Sequence, residues 1–150
     1  MMPPCQHTLV TELELRVKLL RPGARPPERA YNSAGYDIRC TDPIDLPPGF
    51  RIAVHTGIAC EVPAGHVALV WDRGSTGAKG IRSLAGVIDA DYRGEWIVWL
   101  LNTSGEVVHF KAGDKVAQVL IQKVSAPLVR VVEELSETKR GENRLGSSGT

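Results

Sequence analysis

Three stretches of this chain carry residue types that can do chemistry. From Arg73 to Gly80 the run Arg-Gly-Ser-Thr-Gly-Ala-Lys-Gly supplies two cations, two hydroxyls and three glycines that leave the backbone amides open. Together these are the donors that an oxyanion such as phosphate needs. The run is not a Walker A loop, in which lysine is followed directly by serine or threonine and then by a helix. A plain polar turn has the same composition. Further on, Asp89-Ala90-Asp91-Tyr92-Arg93-Gly94 places Asp89, Asp91 and Arg93 on one side of an extended segment and Ile88, Ala90 and Tyr92 on the other. Taken alone, that pattern reads as the solvated face of a hairpin. Near the end, Arg140, Arg144, Ser147 and Ser148 alternate with glycines. Such a segment can close over a polyanion as a mobile lid, or stay a disordered terminus.

The elements that must position these residues read as short strands. Leu13, Leu15, Val17 and Leu19 alternate with Glu14, Arg16 and Lys18, the period of a half-buried strand over Leu13 to Leu20. Further strands are expected at Gly35 to Cys40, Phe50 to Val54, Ile58 to Val62, His66 to Trp71, Leu84 to Ile88, Trp96 to Leu101, Val107 to Phe110, Lys115 to Val124 and Leu128 to Val132. Turn residues such as Pro47-Pro48-Gly49 and Pro63-Ala64-Gly65 separate them. Spacing this close leaves no room for crossover helices, so the fold class is all-β: an antiparallel sandwich, barrel or jelly roll. Residues 1–135 form one domain, and 136–150, with Leu145 as its single large apolar residue, read as a flexible tail. The run Trp96-Ile97-Val98-Trp99-Leu100-Leu101 is apolar on both faces. Either it lies in the middle of a two-layer core, or its second face is covered by another subunit.

Composition narrows the function classes. Lys plus Arg is 18 and Asp plus Glu 17, a formal charge of +1 in 150 residues. That excludes the basic excess of a duplex nucleic-acid binder, so no direct nucleic-acid contact is expected and any anion site is local. Cys5, Cys40 and Cys60 form no C-x-x-C pair, and His7, His55, His66 and His109 lack metal-ligand spacing. No apolar run approaches the ~18 residues of a membrane span, and Met1 to Gln6 shows no apolar core of a signal peptide, so none is expected. A soluble, cytoplasmic protein is expected.

Five segments in order resemble the motifs of the trimeric dUTP pyrophosphatases (dUTPases). They are Ala34 to Arg39, Arg73 to Gly80, Gly86-Val87-Ile88-Asp89-Ala90-Asp91-Tyr92-Arg93-Gly94, Gly113 to Gln118, and Arg140 to Gly149. The third is the most specific. The resemblance implies a β jelly-roll homotrimer with active sites at subunit interfaces, hydrolysing dUTP to dUMP and pyrophosphate. It implies that Asp89 orients and deprotonates the attacking water, that Tyr92 packs on the deoxyribose, and that backbone of the third motif, around Gly86 and Ile88, reads the uracil. Arg73, Gly74, Ser75 and Gln118 are placed by it on the phosphates. Arg140, Leu145, Gly146, Ser147 and Ser148 of the tail close over base and γ-phosphate. Mg²⁺ is held by the phosphates and water, with Asp37 acting through the water shell. A dCTP deaminase shares the fold, but Ile-Asp-x-x-Tyr-Arg-Gly favours the dUTPase. Two departures stand out: Gly74-Ser75 inverts the usual order after Arg73, and Leu145 replaces the aromatic of the fifth motif.

Overall fold

A computed structural model describes residues 12–142. Eleven strands and one short helix follow one another: β1 (Arg16–Leu19), β2 (Tyr36–Arg39), β3 (Ile44–Leu46), β4 (Arg51–His55), β5 (Ile58–Glu61), β6 (His66–Trp71), α1 (Gly74–Ala78), β7 (Ile81–Leu84), β8 (Val87–Ile88), β9 (Ile97–Asn102), β10 (Val108–Phe110) and β11 (Lys115–Lys123). Every described pairing is antiparallel. A four-stranded sheet runs β2-β11-β6-β8 and a three-stranded sheet β4-β9-β7, flanked by the pairs β1-β5 and β3-β10.

All four sheets feed one core. Ile38, Ala68, Val70, Val116 and Val119 from the larger sheet join Val54, Ile81, Val98 and Leu100 from the smaller, with Ile44, Leu46, Phe110, Ile58 and Cys60 from the pairs. This closed, antiparallel arrangement is the expected jelly roll, and it leaves few long edges bare. Asn102 lies inside with no exposed surface. Its amide donates to the carbonyls of Leu46 and Glu106 (2.8 and 2.7 Å), and its oxygen accepts from the amide and hydroxyl of Ser104 (2.9 and 2.7 Å). A polar group this deep is tolerated because its hydrogen bonds are made.

Several expected elements differ. Leu84 to Ile88 is two strands in two sheets, because Ala85 adopts a left-handed φ of 51° and turns the chain from β7 into β8. Strand β1 covers only four residues, with Leu13 and Leu19 exposed while Leu15 and Val17 pack on the core. Leu128 to Val132 forms no strand: Leu128 is 88% and Val131 95% exposed, since no described strand edge lies beside them. β3 was not expected, and neither was α1. In β9 the alternation is sharp: Trp96, Val98 and Leu100 are buried, whereas Ile97 and Trp99 remain 39% and 41% exposed. The chain therefore covers one face of this strand and leaves the other to solvent, which removes the two-layer alternative.

Candidate active site

The first cluster forms where β2, β11 and the end of β6 meet. Gln118 stands opposite Asp37 and Lys115 opposite Arg39, with a register irregularity between Lys115 and Ala117. In a regular strand, positions 115 and 118 point to opposite faces. The bulge changes that parity and brings both onto the face that carries Asp37. Asp37 accordingly receives two cations, Arg73 through Nε at 2.8 Å and Lys115 through Nζ at 2.6 Å. Partial burial penalises the Asp37 charge, but the hydrogen bonds and attraction of Lys115 and Arg73 outweigh it and hold the carboxyl below the usual aspartate range.

Arg73 is fixed from several sides. It precedes α1 in an extended conformation, and the Thr76 hydroxyl accepts from its amide (3.0 Å) while donating to its carbonyl (2.9 Å). Its Nη1 donates to the Ser75 hydroxyl at 3.0 Å. The helix is short because Gly74 and Gly77 are poor helix formers and Gly80 ends it at a left-handed φ of 76°. Asp72, just before, ties three elements together. Its carboxylate accepts from the amide and hydroxyl of Ser83 (2.5 and 2.6 Å) and from Arg82 (2.8 Å), and its carbonyl accepts from Gln118 Nε2 (2.8 Å). Gly35 permits the last contact, for a Cβ there would stand 2.5 Å from Gln118 Oε1. Arg39, Arg73, Lys79, Lys115 and His109, with Ser75, line a cleft of about 340 Å³. With the Thr76 hydroxyl and the Asp114 carboxylate also on its wall, the cleft sets five basic side chains against one acid, a surplus of donors suited to an anion.

The second cluster lies on the β8–β9 connection. Val87, Ile88, Asp89, Tyr92 and Glu95 line a cavity of about 380 Å³ together with Ala53, Trp96, Ile97 and Trp99. Gly86 sits at its edge, accepting at its carbonyl from the Val70 amide (2.7 Å). Tyr92 is 47% exposed, and its hydroxyl donates to the Glu95 carbonyl at 3.2 Å. Two carboxylates share this cavity and differ in surroundings. The Asp89 carboxylate has no hydrogen-bond partner among the described residues, whereas that of Glu95 accepts from Gly57 N (2.8 Å), His55 Nδ1 (3.0 Å) and Arg21 Nη2 (2.9 Å). Burial opposes the Glu95 charge, yet these donors more than compensate and lower its pKa. Asp89 is thus the carboxylate with lone pairs open to a ligand.

Within one chain the sites expected from sequence form two groups. Asp37, Arg73, Gly74, Ser75 and Gln118 come together around the basic cleft, and Gly86, Ile88, Asp89 and Tyr92 around the other cavity. The two clefts share no lining residue. Arg140 falls in the strandless stretch after β11, and Leu145, Gly146, Ser147 and Ser148 lie outside the described residues. Lys115, Gly35 and Glu95 were not singled out from sequence. For Lys115 the available sign was its place three residues before Gln118, which strand parity alone assigns to the wrong face. Among the described residues no group of three or more His, Cys, Asp and Glu is placed to hold a metal. No described helix is long and apolar enough to cross a membrane.

The dUTPase family model matches residues 22–149. A deoxyuridine 5'-triphosphate nucleotidohydrolase of Paramecium bursaria Chlorella virus 1 is 41% identical over 133 residues, covering 88% of this chain and 94% of its own. One from Rhodococcus erythropolis is 38% identical over 142 residues, covering 91% and 87%. Among solved structures, a mutant dUTPase of Staphylococcus bacteriophage 80alpha with dUpNHpp superimposes with a TM-score of 0.84 at 29% identity, covering 91% of this chain and 99% of that one. A mutant dUTPase from phage phi11 of S. aureus, described as coordinating a structural Mg(II) ion, gives a TM-score of 0.74 at 29% identity over 81% of this chain and 97% of that one. Ordered motifs, an antiparallel β architecture and a family match over most of the length agree, and the chain belongs to the dUTPase family.

Proposed function

We propose that this protein is a dUTP diphosphatase that releases dUMP and pyrophosphate, acting as a homotrimer with its sites between subunits. The observation that carries the reading is the Asp89–Tyr92 hairpin lining a cavity with an unengaged carboxylate, on a chain that also builds a basic cleft from Arg73, Ser75 and Lys115. Asp89 accepts a proton from a water whose oxygen forms a bond to the α-phosphorus. The bond from that phosphorus to the bridging oxygen breaks, and its electron pair leaves with pyrophosphate. The Tyr92 ring packs on the deoxyribose where a 2′-hydroxyl would collide, and backbone at Gly86 and Ile88 meets the uracil. Arg73, Gly74, Ser75 and Gln118 face the phosphates, with a planar guanidinium suited to their geometry. Arg140, Leu145, Gly146, Ser147 and Ser148 close over base and γ-phosphate as the 136–150 tail folds in.

Magnesium fits this donor set. Mg²⁺ keeps several waters and takes few protein ligands, so a triphosphate and one carboxylate suffice. Asp37 would be that carboxylate: beyond its pairs with Arg73 and Lys115 it retains acceptor capacity for a metal-bound water. The ion would neutralise phosphate charge and orient the triphosphate. The half-exposed Ile97–Trp99 face and the bare apolar run Leu128, Val129, Val131 and Leu135 support the trimer, since both await covering surface. Two free buried cysteines, Cys40 and Cys60, are in keeping with a reducing, cytoplasmic setting. Pyrophosphate release measured with Mg²⁺ across dUTP, UTP, dCTP and dTTP tests the reading. Turnover confined to dUTP is expected. Ammonia release from dCTP, or equal turnover of UTP, overturns it.

A further inference from the structure

The Asp89–Gly94 hairpin has little internal support. Its described hydrogen bonds are Tyr92 N to the Asp89 carbonyl (3.2 Å) and Arg93 Nη1 to the carbonyls of Ala90 (2.7 Å) and Tyr92 (3.2 Å). The chain regains the frame at Glu95 and Trp96. Trp96 N donates to the Ile58 carbonyl (2.8 Å), and the Thr56 hydroxyl donates to the Trp96 carbonyl. Glu95 is bound more heavily. Oε1 takes the Gly57 amide, Oε2 takes His55 and Arg21, and the Glu95 carbonyl takes the Tyr92 hydroxyl. The docking point is itself rigid: Gly57 has a φ of 69°, and a Cβ there would stand 2.8 Å from both Ala24 Cβ and Thr41 Cγ2. Its carbonyl accepts from Leu20 N at 2.8 Å.

We infer that Glu95 is a positioning residue, clasping the hairpin to the turn between β4 and β5 and so setting where Asp89 and Tyr92 stand in the cavity. This rests on the reading of Asp89 as the base. A carboxylate holding three donors can neither accept the water's proton efficiently nor let the hairpin drift. Misplacing a reacting group by about 1 Å can cost 10²-fold in rate, so loss of the clasp acts on turnover. In Glu95→Gln an amide NH₂ meets two donors at Oε2 or one at Oε1, and at least one contact becomes donor against donor.

The test compares Glu95→Gln, Arg21→Met and Ser104→Ala with wild type at a temperature well below every unfolding midpoint. Glu95→Gln should lower kcat about tenfold or more with KM for dUTP moving less than about threefold, because the phosphates are held elsewhere. Arg21→Met, which removes one donor of three, should lower kcat in the same direction by less. Ser104→Ala, which loses the hydroxyl's bond to the buried Asn102 (2.7 Å) and touches neither the hairpin nor its docking turn, should lower the unfolding midpoint yet keep kcat within about twofold. Wild-type kcat in Glu95→Gln, or a kcat loss in Ser104→Ala that matches it, overturns the clasp. Should Glu95→Gln not fold, unchanged kcat in Arg21→Met overturns it instead. Full turnover in Asp89→Asn is a separate result: it removes the base, and the purpose of the clasp with it.

Discussion

Asp89 and Asp37 are aspartates in different clefts, and their surroundings assign them different work. Asp89 stands without a described partner in its cavity, so its oxygens remain available to a water. Asp89→Asn keeps shape but cannot accept a proton. Turnover should fall by about 10²-fold or more while the affinity for a non-hydrolysable dUTP analogue holds, which single-turnover kinetics and calorimetry would show. Asp37 instead holds Arg73 on one oxygen and Lys115 on the other, and its pKa is lowered below the usual value despite its burial. A depressed carboxylate pKa stabilises the fold where the group is ionised, fully above its unfolded pKa of about 4, and the contribution is lost as pH falls through the lower folded value. Urea midpoints followed from pH 6 downward should therefore show Asp37→Asn less stable than wild type at the upper end, with the gap closing in acid. A gap that stays constant would mean that the ion pairs contribute nothing to folding. These residue-scale roles were only partly legible in sequence. Asp37, Arg73 and Asp89 stood in motifs with a role attached; Lys115 stood in the fourth motif, but its pairing with Asp37 was hidden because strand alternation places it opposite Gln118, and only a bulge reverses that.

Apolar runs with clear turn residues on either side were readable. His66 to Trp71 came out as β6 with the same bounds, buried at Val67, Ala68 and Val70. Leu84 to Ile88 was not readable, because an apolar run carries no mark of a left-handed alanine in its middle. Nor was β3, whose three residues lie below any usable period. The candidate site depended on such unmarked features. Gly35 in the first motif read only as the start of a strand, and its actual part is to let β11 bring Gln118 up against β2. Gly35→Ala should drive Gln118 aside, break its bond to the Asp72 carbonyl and loosen the segment that leads into Arg73. Because overpacking at a single methyl typically costs about 1–3 kcal/mol, the protein should still fold, with a lowered thermal midpoint and a raised KM for dUTP. If KM were unchanged in a folded Gly35→Ala, the Gln118–Asp72 link would have no part in shaping the basic cleft.

For the whole molecule, the separation of the two clefts says more than either cleft. Asp89 and Tyr92 open into one cavity and Arg73 and Lys115 into another, with no residue lining both. In the trimer proposed here, each complete site draws its carboxylate from one copy of the chain and its phosphate cations from another. The protein then behaves genetically as two functions on one polypeptide. Asp89→Asn and Arg73→Ala subunits, each inactive as pure assemblies, should complement when co-refolded in equal amounts. If chains mix at random, roughly a quarter of the sites would pair an intact Asp89 with an intact Arg73, and about that share of wild-type turnover should return. Mixtures that stay as inactive as their components would show that one chain builds its site alone. By the same logic, a heterozygous cell expressing both alleles would be spared a defect that either allele causes by itself.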